Sequence, residues 1–297
     1  MCGIVGIYHK KEPACGDVYD ALIQVQHRGQ DAAGISTWDT EKISTHKYTG
    51  LVTEVFKHQT TFDKLVGNIG IGHVRYPTAG GDNVSEAQPF FTANPVNISL
   101  AHNGTLTNSE KLKKELIRIN FCQFNTNSDS EVLLKQFCYE LYKTNFRKLT
   151  KTHVYKALNN VFQKCSGGYA VVMIVAGIGL VAFRDPKGIR PLSLGKYKNS
   201  YLIASESSAI TAMGYNLESD IKPGQIVIID EQGNVDKKRP IKGSTNQPCL
   251  FEYVYFSRPD STIDEISVHK SRLRMGDFLG EKILRDFKEL DVDVVIP

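Results

Sequence analysis

The stretch CGIVGIY at residues 2–8 is unusual, because it places a short apolar run directly behind a cysteine at the start of the chain. Such a run is typical of a short buried strand. If Met1 is removed, Cys2 becomes the first residue and carries both a thiol and a free α-amine. An α-amine has a pKa of about 7.7–8.0, so nucleophile and base can reside on one residue. The alternative is a cysteine that only packs in an edge strand.

Composition narrows the class of protein. The chain has 297 residues, of which 41% are hydrophobic and 23% charged, and a net charge of +4. This dilute charge and a single Trp do not favour nucleic-acid binding. We see neither a signal peptide nor a membrane span, and no C-x-x-C pair among six cysteines. We therefore expect a cytoplasmic protein with reduced thiols, which binds neither nucleic acid nor membrane.

The order of predicted elements indicates an α+β fold with antiparallel sheets. Strands come first, and AAGISTW (32–38) and KISTHKYTG (42–50) are expected to pair. Helices are predicted within residues 17–28, with Asp17 as the cap, and over 107–120 and 128–142. More strands follow, including IVIID at the start of residues 226–234.

A second domain is predicted after a change in composition near residue 240. The polar segment KRPIKGSTNQP (238–248) is a plausible linker. A long amphipathic helix from about residue 271 to 290 and the strand-like run VDVVIP (292–297) follow it. We expect domains at 2–240 and 241–297, with the chain ending inside the second.

Four polar stretches lie at predicted element ends and each has a simple structural explanation. Asn103-Gly104 suits a hairpin turn, Ser128 and Glu131 form a capping pattern, and Arg75 suits a surface ion pair. The four stretches are QHRGQDAAG (26–34), GHVRYPTAG (72–80), AHNGTLTN (101–108) and TNSDSE (126–131).

Together these stretches supply what the hydrolysis of the glutamine amide needs. The Cys2 thiolate would attack the carboxamide, and the Asn103 side chain and the Gly104 backbone N–H would stabilise the oxyanion. Arg75 would bind the substrate carboxylate and Asp129 its ammonium group.

A histidine base is the competing interpretation of the same chemistry. Either His73 or His102 would then take the proton from the thiol. Both lie near strand ends, so both also suit a core or supporting role.

The chain closely resembles the glutamine phosphoribosylpyrophosphate amidotransferases (amidophosphoribosyltransferases), which belong to the class II, N-terminal-nucleophile glutamine amidotransferases. The resemblance covers the whole chain in order. HRGQDAAG and FEYVYFSRPDS select this enzyme over glucosamine phosphate synthase and asparagine synthetase. The motifs that carry it are CGIVGI, LIQVQHRGQDAAGI, GIGHVRYPTAGG, SEAQPF, LAHNGTLTN, TNSDSE, FRDPKGIRPLSLG, ASES, CLFEYVYFSRPDS and DVDVVIP.

The resemblance implies a four-layer αββα sandwich, followed by the truncated start of a phosphoribosyltransferase α/β domain. It implies Cys2 as nucleophile, Asn103 and Gly104 as oxyanion hole, and Arg75 and Asp129 as glutamine ligands. Arg28 and Gly29 would pack beside the terminus and orient it. The loop between Arg75 and Glu86 would close over glutamine.

The activity implied is the first committed step of purine synthesis, in which ammonia from glutamine converts phosphoribosyl pyrophosphate to phosphoribosylamine. The partners implied are L-glutamine, phosphoribosyl pyrophosphate and further copies of the chain, in a tetramer. The glutaminase half needs no cofactor and no metal, whereas the missing transferase half would bind Mg²⁺.

Departures from the family pattern lead to further expectations. No propeptide precedes Cys2, so only Met1 would need removal. Cys249 alone offers no iron–sulfur site, so no cluster is expected. IVIIDEQGN (226–234) imitates the phosphate-binding motif but lacks its hydroxyl-rich loop, so we expect a strand and turn there. The alternatives are another class II amidotransferase, acting on a sugar phosphate or aspartate, and a silent glutamine-binding module.

Overall fold

The computed structural model describes residues 2–76, 84–119, 121–241 and 243–296. The predicted closing loop between Arg75 and Glu86 falls mostly on residues 77–83, which lie outside the described residues. The strands are β1 Gly3–Tyr8, β2 Ala32–Trp38, β3 Ile43–Thr49, β4 Ile69–Arg75, β5 Phe90–Thr92, β6 Ile98–Leu106, β7 Gly167–Val175, β8 Gly179–Arg184, β9 Ser193–Tyr197, β10 Ser200–Ala204, β11 Asn216–Asp220, β12 Ile226–Asp230, β13 Val235–Lys238, β14 Thr262–Ile263 and β15 Ile266–Ser267. The α-helices are α1 Cys15–Gln24, α2 Val52–Val55, α3 Gln59–Phe62, α4 Ser109–Arg118, α5 Asp129–Tyr142, α6 Lys151–Lys164, α7 Ser207–Ala212 and α8 Val268–Asp286.

Two antiparallel sheets form the body of the protein. One has the strand order β11-β9-β10-β1-β4-β2-β3 and the other the order β13-β12-β8-β7-β6-β5. Strand β1 lies in the middle of the first sheet, paired with β10 and β4, so Cys2 enters a fixed position although it is near the terminus.

Three apolar clusters show how the layers pack. Residues such as Ile4 of the first sheet and Val172 of the second meet in a core between the sheets. Helices α1, α2 and α7 cover the outer face of the first sheet, and α4, α5 and α6 cover that of the second. The predicted αββα sandwich is therefore confirmed.

Several local predictions need correction. Helix α1 begins at Cys15 after Ala14, so Asp17 lies in the first turn and accepts a hydrogen bond from His9 Nε2 at 2.7 Å instead of capping the helix. Ser128 does cap α5. The Glu131 carboxylate, however, accepts hydrogen bonds from Asn125 N and Thr126 N, so no capping box forms.

The segment after the second sheet contains a short π-helix, Glu252–Phe256, the hairpin of β14 and β15, and α8. The predicted long helix is present, but it runs from 268 to 286 and not from about 271 to 290. The predicted strand near the end is wrong, since residues 291–296 form no strand and Val294, Val295 and Ile296 are exposed. A strand needs a partner for its backbone groups, and the described residues offer none at this position. No described helix is long and apolar enough to cross a membrane.

Candidate active site

Cys2 is held through both of its backbone polar groups. Its nitrogen donates a hydrogen bond to Asn103 Oδ1 at 3.2 Å, and its carbonyl accepts one from Arg28 Nε at 3.1 Å. The Sγ atom lies 3.9 Å from the carbonyl oxygen of Tyr76. Burial raises the pKa of the thiol, and the positive charges of Arg75 and Arg28 oppose that rise. The thiol therefore needs a base to become a nucleophile near neutral pH.

Asn103 and Gly104 lie inside β6 and do not form the hairpin turn that their sequence permits. They pair with Ala170 and Tyr169 of β7, and the strand continues to Leu106. The Asn103 side chain is fully buried, and its Nδ2 has no hydrogen-bond partner among the described residues. Because Oδ1 faces the nitrogen of Cys2, the two N–H bonds of Nδ2 are left for another acceptor.

One cavity of about 350 Å³ brings four of the predicted site residues together, whereas Asn103, Arg28 and Gly29 are not among its lining residues. Cys2, Gly104, Arg75 and Asp129 all line it, so a thiol, a backbone N–H and two opposite charges share one space. Asp129 Oδ2 accepts a hydrogen bond from Leu106 N at 2.8 Å, which ties the start of α5 to the end of β6. Such a cavity suits a small zwitterion with a polar side chain.

A buried network that sequence analysis missed holds the backbone of β6 at the cavity. Gln88 Oε1 accepts from His102 N at 2.8 Å, and Gln88 Nε2 donates to the His102 carbonyl and to Ser130 Oγ at 3.3 and 3.1 Å. These bonds fix the backbone next to Asn103. The motif SEAQPF contained the glutamine, but its letters give no sign of which strand it contacts.

Neither histidine is hydrogen-bonded to the thiol of Cys2, although His102 lines the same cavity. His102 Nδ1 is hydrogen-bonded to Ser130 Oγ at 2.8 Å, and the other ring nitrogens of His102 and His73 have no partner among the described residues. Burial lowers the pKa of His73 to about 3 and lowers that of His102. Both rings are therefore weak bases near pH 7.

Arg28 and Gly29 have different surroundings. Arg28 is buried and contacts the Cys2 carbonyl, Glu206 and Glu252. Gly29 packs against the end of β4, where an added Cβ would lie 2.5 Å from the carbonyl carbon of Arg75. Gly29 thus supports Arg75, and only Arg28 contacts Cys2 directly.

We expect Gly104→Ala to lower the free energy of unfolding by about 2–4 kcal/mol, since it combines backbone strain with a clash. Gly104 has φ +150°, and an added Cβ would lie 2.1 Å from the carbonyl oxygen of Gly168. Denaturant unfolding measures the change. Gly177→Ala is the matched control, because Gly177 has φ +78° but no atom within 4 Å of the added Cβ. Equal losses in the two variants would contradict the clash.

Comparison with known proteins agrees with this geometry. The model of the glutamine amidotransferase domain matches residues 73–212. Amidophosphoribosyltransferases of Pseudomonas aeruginosa and Escherichia coli are 48% and 47% identical, and each match covers 100% of this chain and 60% of the relative. The enzyme of that name from Saccharomyces cerevisiae is 44% identical with the same coverage. The chain therefore spans about 60% of the length of these curated relatives.

A solved structure gives the same result. The glutamine phosphoribosylpyrophosphate amidotransferase from B. subtilis, complexed with ADP and GMP, is 35% identical with a TM-score of 0.82. The match covers 95% of this chain and 58% of that one. Together with the αββα fold, these matches show that the chain is similar over its whole length to amidophosphoribosyltransferases and has the fold of the class II glutamine amidotransferases.

Proposed function

We propose that this chain hydrolyses the side-chain amide of glutamine, with Cys2 as the nucleophile. The observation that carries the proposal is the pairing of Cys2 N with Asn103 Oδ1, which leaves Asn103 Nδ2 as an unpartnered donor. Cys2 lines the same cavity as the charges of Arg75 and Asp129.

Removal of Met1 converts the Cys2 nitrogen into an α-amine that takes the proton of the thiol. The thiolate attacks the amide carbon, and the oxyanion accepts hydrogen bonds from Asn103 Nδ2 and the Gly104 N–H. The protonated amine gives its proton to the leaving nitrogen, the C–N bond of the tetrahedral intermediate breaks, and ammonia departs to leave a thioester on Cys2. Water, activated by the same amine, then cleaves the thioester to glutamate and the free thiol.

The other end of glutamine is recognised by charge. The Arg75 guanidinium binds the α-carboxylate with two donors, and the Asp129 carboxylate accepts from the α-ammonium. Because Asp129 Oδ2 is already bonded to Leu106 N, the carboxylate is held in one orientation. A charged pair at this end selects an amino acid over a simple amide.

We further propose that the whole protein is an amidophosphoribosyltransferase, which uses this ammonia to make phosphoribosylamine in purine synthesis. The identity with curated enzymes of that name supports this proposal. Phosphoribosyl pyrophosphate and Mg²⁺ would bind in the part of the relatives' length that this chain does not cover. Asp230 does not supply that site, since it accepts hydrogen bonds from Asn234 N and Lys151 Nζ at 2.8 and 2.7 Å in a turn after β12.

The domain limits at 2–240 and 241–297, a tetramer and a cytoplasmic location stay proposals of the same kind. The enzyme name of the relatives supports the last two as expectations for a metabolic enzyme.

The proposed function is tested on the full-length protein by measuring glutamate release from glutamine and pyrophosphate release from phosphoribosyl pyrophosphate. Intact mass should show that Met1 is absent from the active protein. Activity in a protein that retains Met1 would overturn the α-amine mechanism. Ammonia transfer to a sugar phosphate or aspartate instead would overturn the assignment of the whole protein.

We expect Asp129→Asn to raise the KM for glutamine by about 10–100-fold with a smaller change in kcat, because a hydrogen bond to a charged group is lost. The asparagine oxygen can still accept from Leu106 N, so the fold should persist. Glu110→Gln is the control, since Glu110 is exposed at the same cavity. A similar rise of KM in both variants would contradict a specific role for Asp129.

A further inference from the structure

A segment that begins within the predicted linker lies against the body of the protein. We call residues 246–264 the strap. Its backbone joins the body at Gln247, which donates to the Lys187 carbonyl at 2.7 Å, and at Thr262, which donates to Ser207 Oγ at 2.8 Å. The predicted domain boundary at 240 therefore separates the strap from the residues that it contacts.

The strap supplies one of two carboxylates that bind Arg28. The guanidinium donates from Nη2 to both oxygens of Glu252 at 2.8 and 3.0 Å, and from Nη1 to Glu206 Oε1. Its remaining Nε donor reaches the Cys2 carbonyl at 3.1 Å. The side chains of Arg28, Glu206 and Glu252 are at most 1% exposed.

Both carboxylates are themselves held in place. Glu206 Oε2 accepts from Arg258 N and Ser261 Oγ of the strap, each at 2.9 Å. Burial would raise the pKa of Glu206, but the hydrogen bond from His27 and the charge of Arg28 outweigh it and lower the pKa to about 2. Glu252 Oε2 accepts from Ser257 Oγ at 2.8 Å.

We propose that Glu252 of the strap and Glu206 are positioning residues for the nucleophile, acting through Arg28. Two carboxylates fix the plane of the guanidinium, and that plane aims Nε–H at the Cys2 carbonyl. After Met1 leaves, no residue precedes Cys2 to hold it. Its place then depends on Asn103, on the pairing of β1, and on this bond from Arg28.

This inference rests on the proposed function, because it assigns its residues to the glutaminase nucleophile. It differs from a general stabilising role in one respect. Removal of the Glu252 charge should release Arg28 and misplace Cys2, even where the strap stays folded. A misplacement of about 1 Å at reacting atoms can cost about 10²-fold in rate.

The strap also contains a matched control. Asp264 binds Arg184 through both oxygens at 2.7 and 2.8 Å, and both side chains are at most 7% exposed. This pair joins the strap to β8 as Glu252 joins it to Arg28, but it has no contact with Cys2.

The test compares Glu252→Gln, Glu252→Asp and Asp264→Asn in the full-length protein. For each we measure kcat and KM for glutamine hydrolysis, the rate constant for alkylation of Cys2 by iodoacetamide as a function of pH, and thermal unfolding. We expect Glu252→Gln to lower kcat and the alkylation rate constant by about tenfold or more, with KM within about threefold. Glu252→Asp should recover part of both losses, whereas Asp264→Asn should change both by less than about twofold.

Two outcomes would overturn the inference. The first is a folded Glu252→Gln protein with wild-type kcat and alkylation. The second is an equal loss in Asp264→Asn, which would make the strap only structural. If Glu252→Gln does not fold, Arg28→Lys takes its place, because lysine keeps the charge but cannot bind both carboxylates and the Cys2 carbonyl. A wild-type protein without glutaminase activity refutes the proposed function, whereas the alkylation rates judge the positioning role separately.

Discussion

Cys2→Ala is expected to lower the rate of glutamine hydrolysis by about 10⁴-fold or more, since the variant can form no thioester. Alanine fits the space of the cysteine, and the bonds of residue 2 to Asn103 and Arg28 are made by backbone atoms. The fold and the glutamine site should therefore persist. Glutamate release under saturating glutamine measures the effect.

Two controls separate this loss from unfolding. Cys122→Ala removes another half-buried thiol that does not line the cavity, and should leave the rate unchanged within about twofold. Ammonia-dependent synthesis of phosphoribosylamine by the full-length Cys2→Ala protein should also persist. Substantial glutamine hydrolysis by Cys2→Ala would show that the nucleophile lies elsewhere.

The position of Cys2 can be predicted from the sequence because the residues that form β1 follow it directly. An apolar run behind the terminal cysteine predicts a buried strand, and that strand lies in the middle of a sheet. The order of elements predicts an α+β fold with antiparallel sheets, and the family resemblance implies the sandwich. Arg75 and Asp129 are expected at a strand end and a helix start, where they lie. Local periodicity and capping signals were sufficient for these positions.

Long-range pairing explains what the sequence could not predict. Asn103-Gly104 favours a hairpin by local chemistry, but β7 pairs along the whole of β6 and overrides that preference. Glu206 and Glu252 lie 46 positions apart in the chain, and their letters alone suggest exposed carboxylates. Only the fold brings both onto Arg28, which makes their burial tolerable.

At the end of the described residues, the sequence pattern predicts a strand that does not form. Residues 292–296 have the apolar pattern of a strand, but they remain exposed and unpaired. A strand pattern states what a segment can bury, whereas the partner decides whether it does. Pattern and outcome therefore agree for β1, which has two neighbours, and disagree here.

We expect Asn103→Ala to lower kcat for glutamine hydrolysis by about 10²–10³-fold with little change in KM, as loss of one oxyanion donor does in other amide hydrolases. The effect falls on kcat because the Nδ2 donors gain their acceptor only when charge develops on the amide oxygen. The variant also removes the acceptor for the α-amine, so the loss should lie toward the upper end of this range.

An aldehyde analogue tests the oxyanion role of Asn103 directly. Glutamate γ-semialdehyde forms a tetrahedral adduct with a thiol, so its inhibition constant should rise in Asn103→Ala by about the same factor as kcat/KM falls. Asn127→Ala is the matched control, because Asn127 lines the cavity that contains Cys2 and its Oδ1 accepts from Lys113 Nζ at 3.3 Å. If Asn103→Ala raised KM and left kcat unchanged, Asn103 would bind the ground state, and the oxyanion would need another donor beside Gly104.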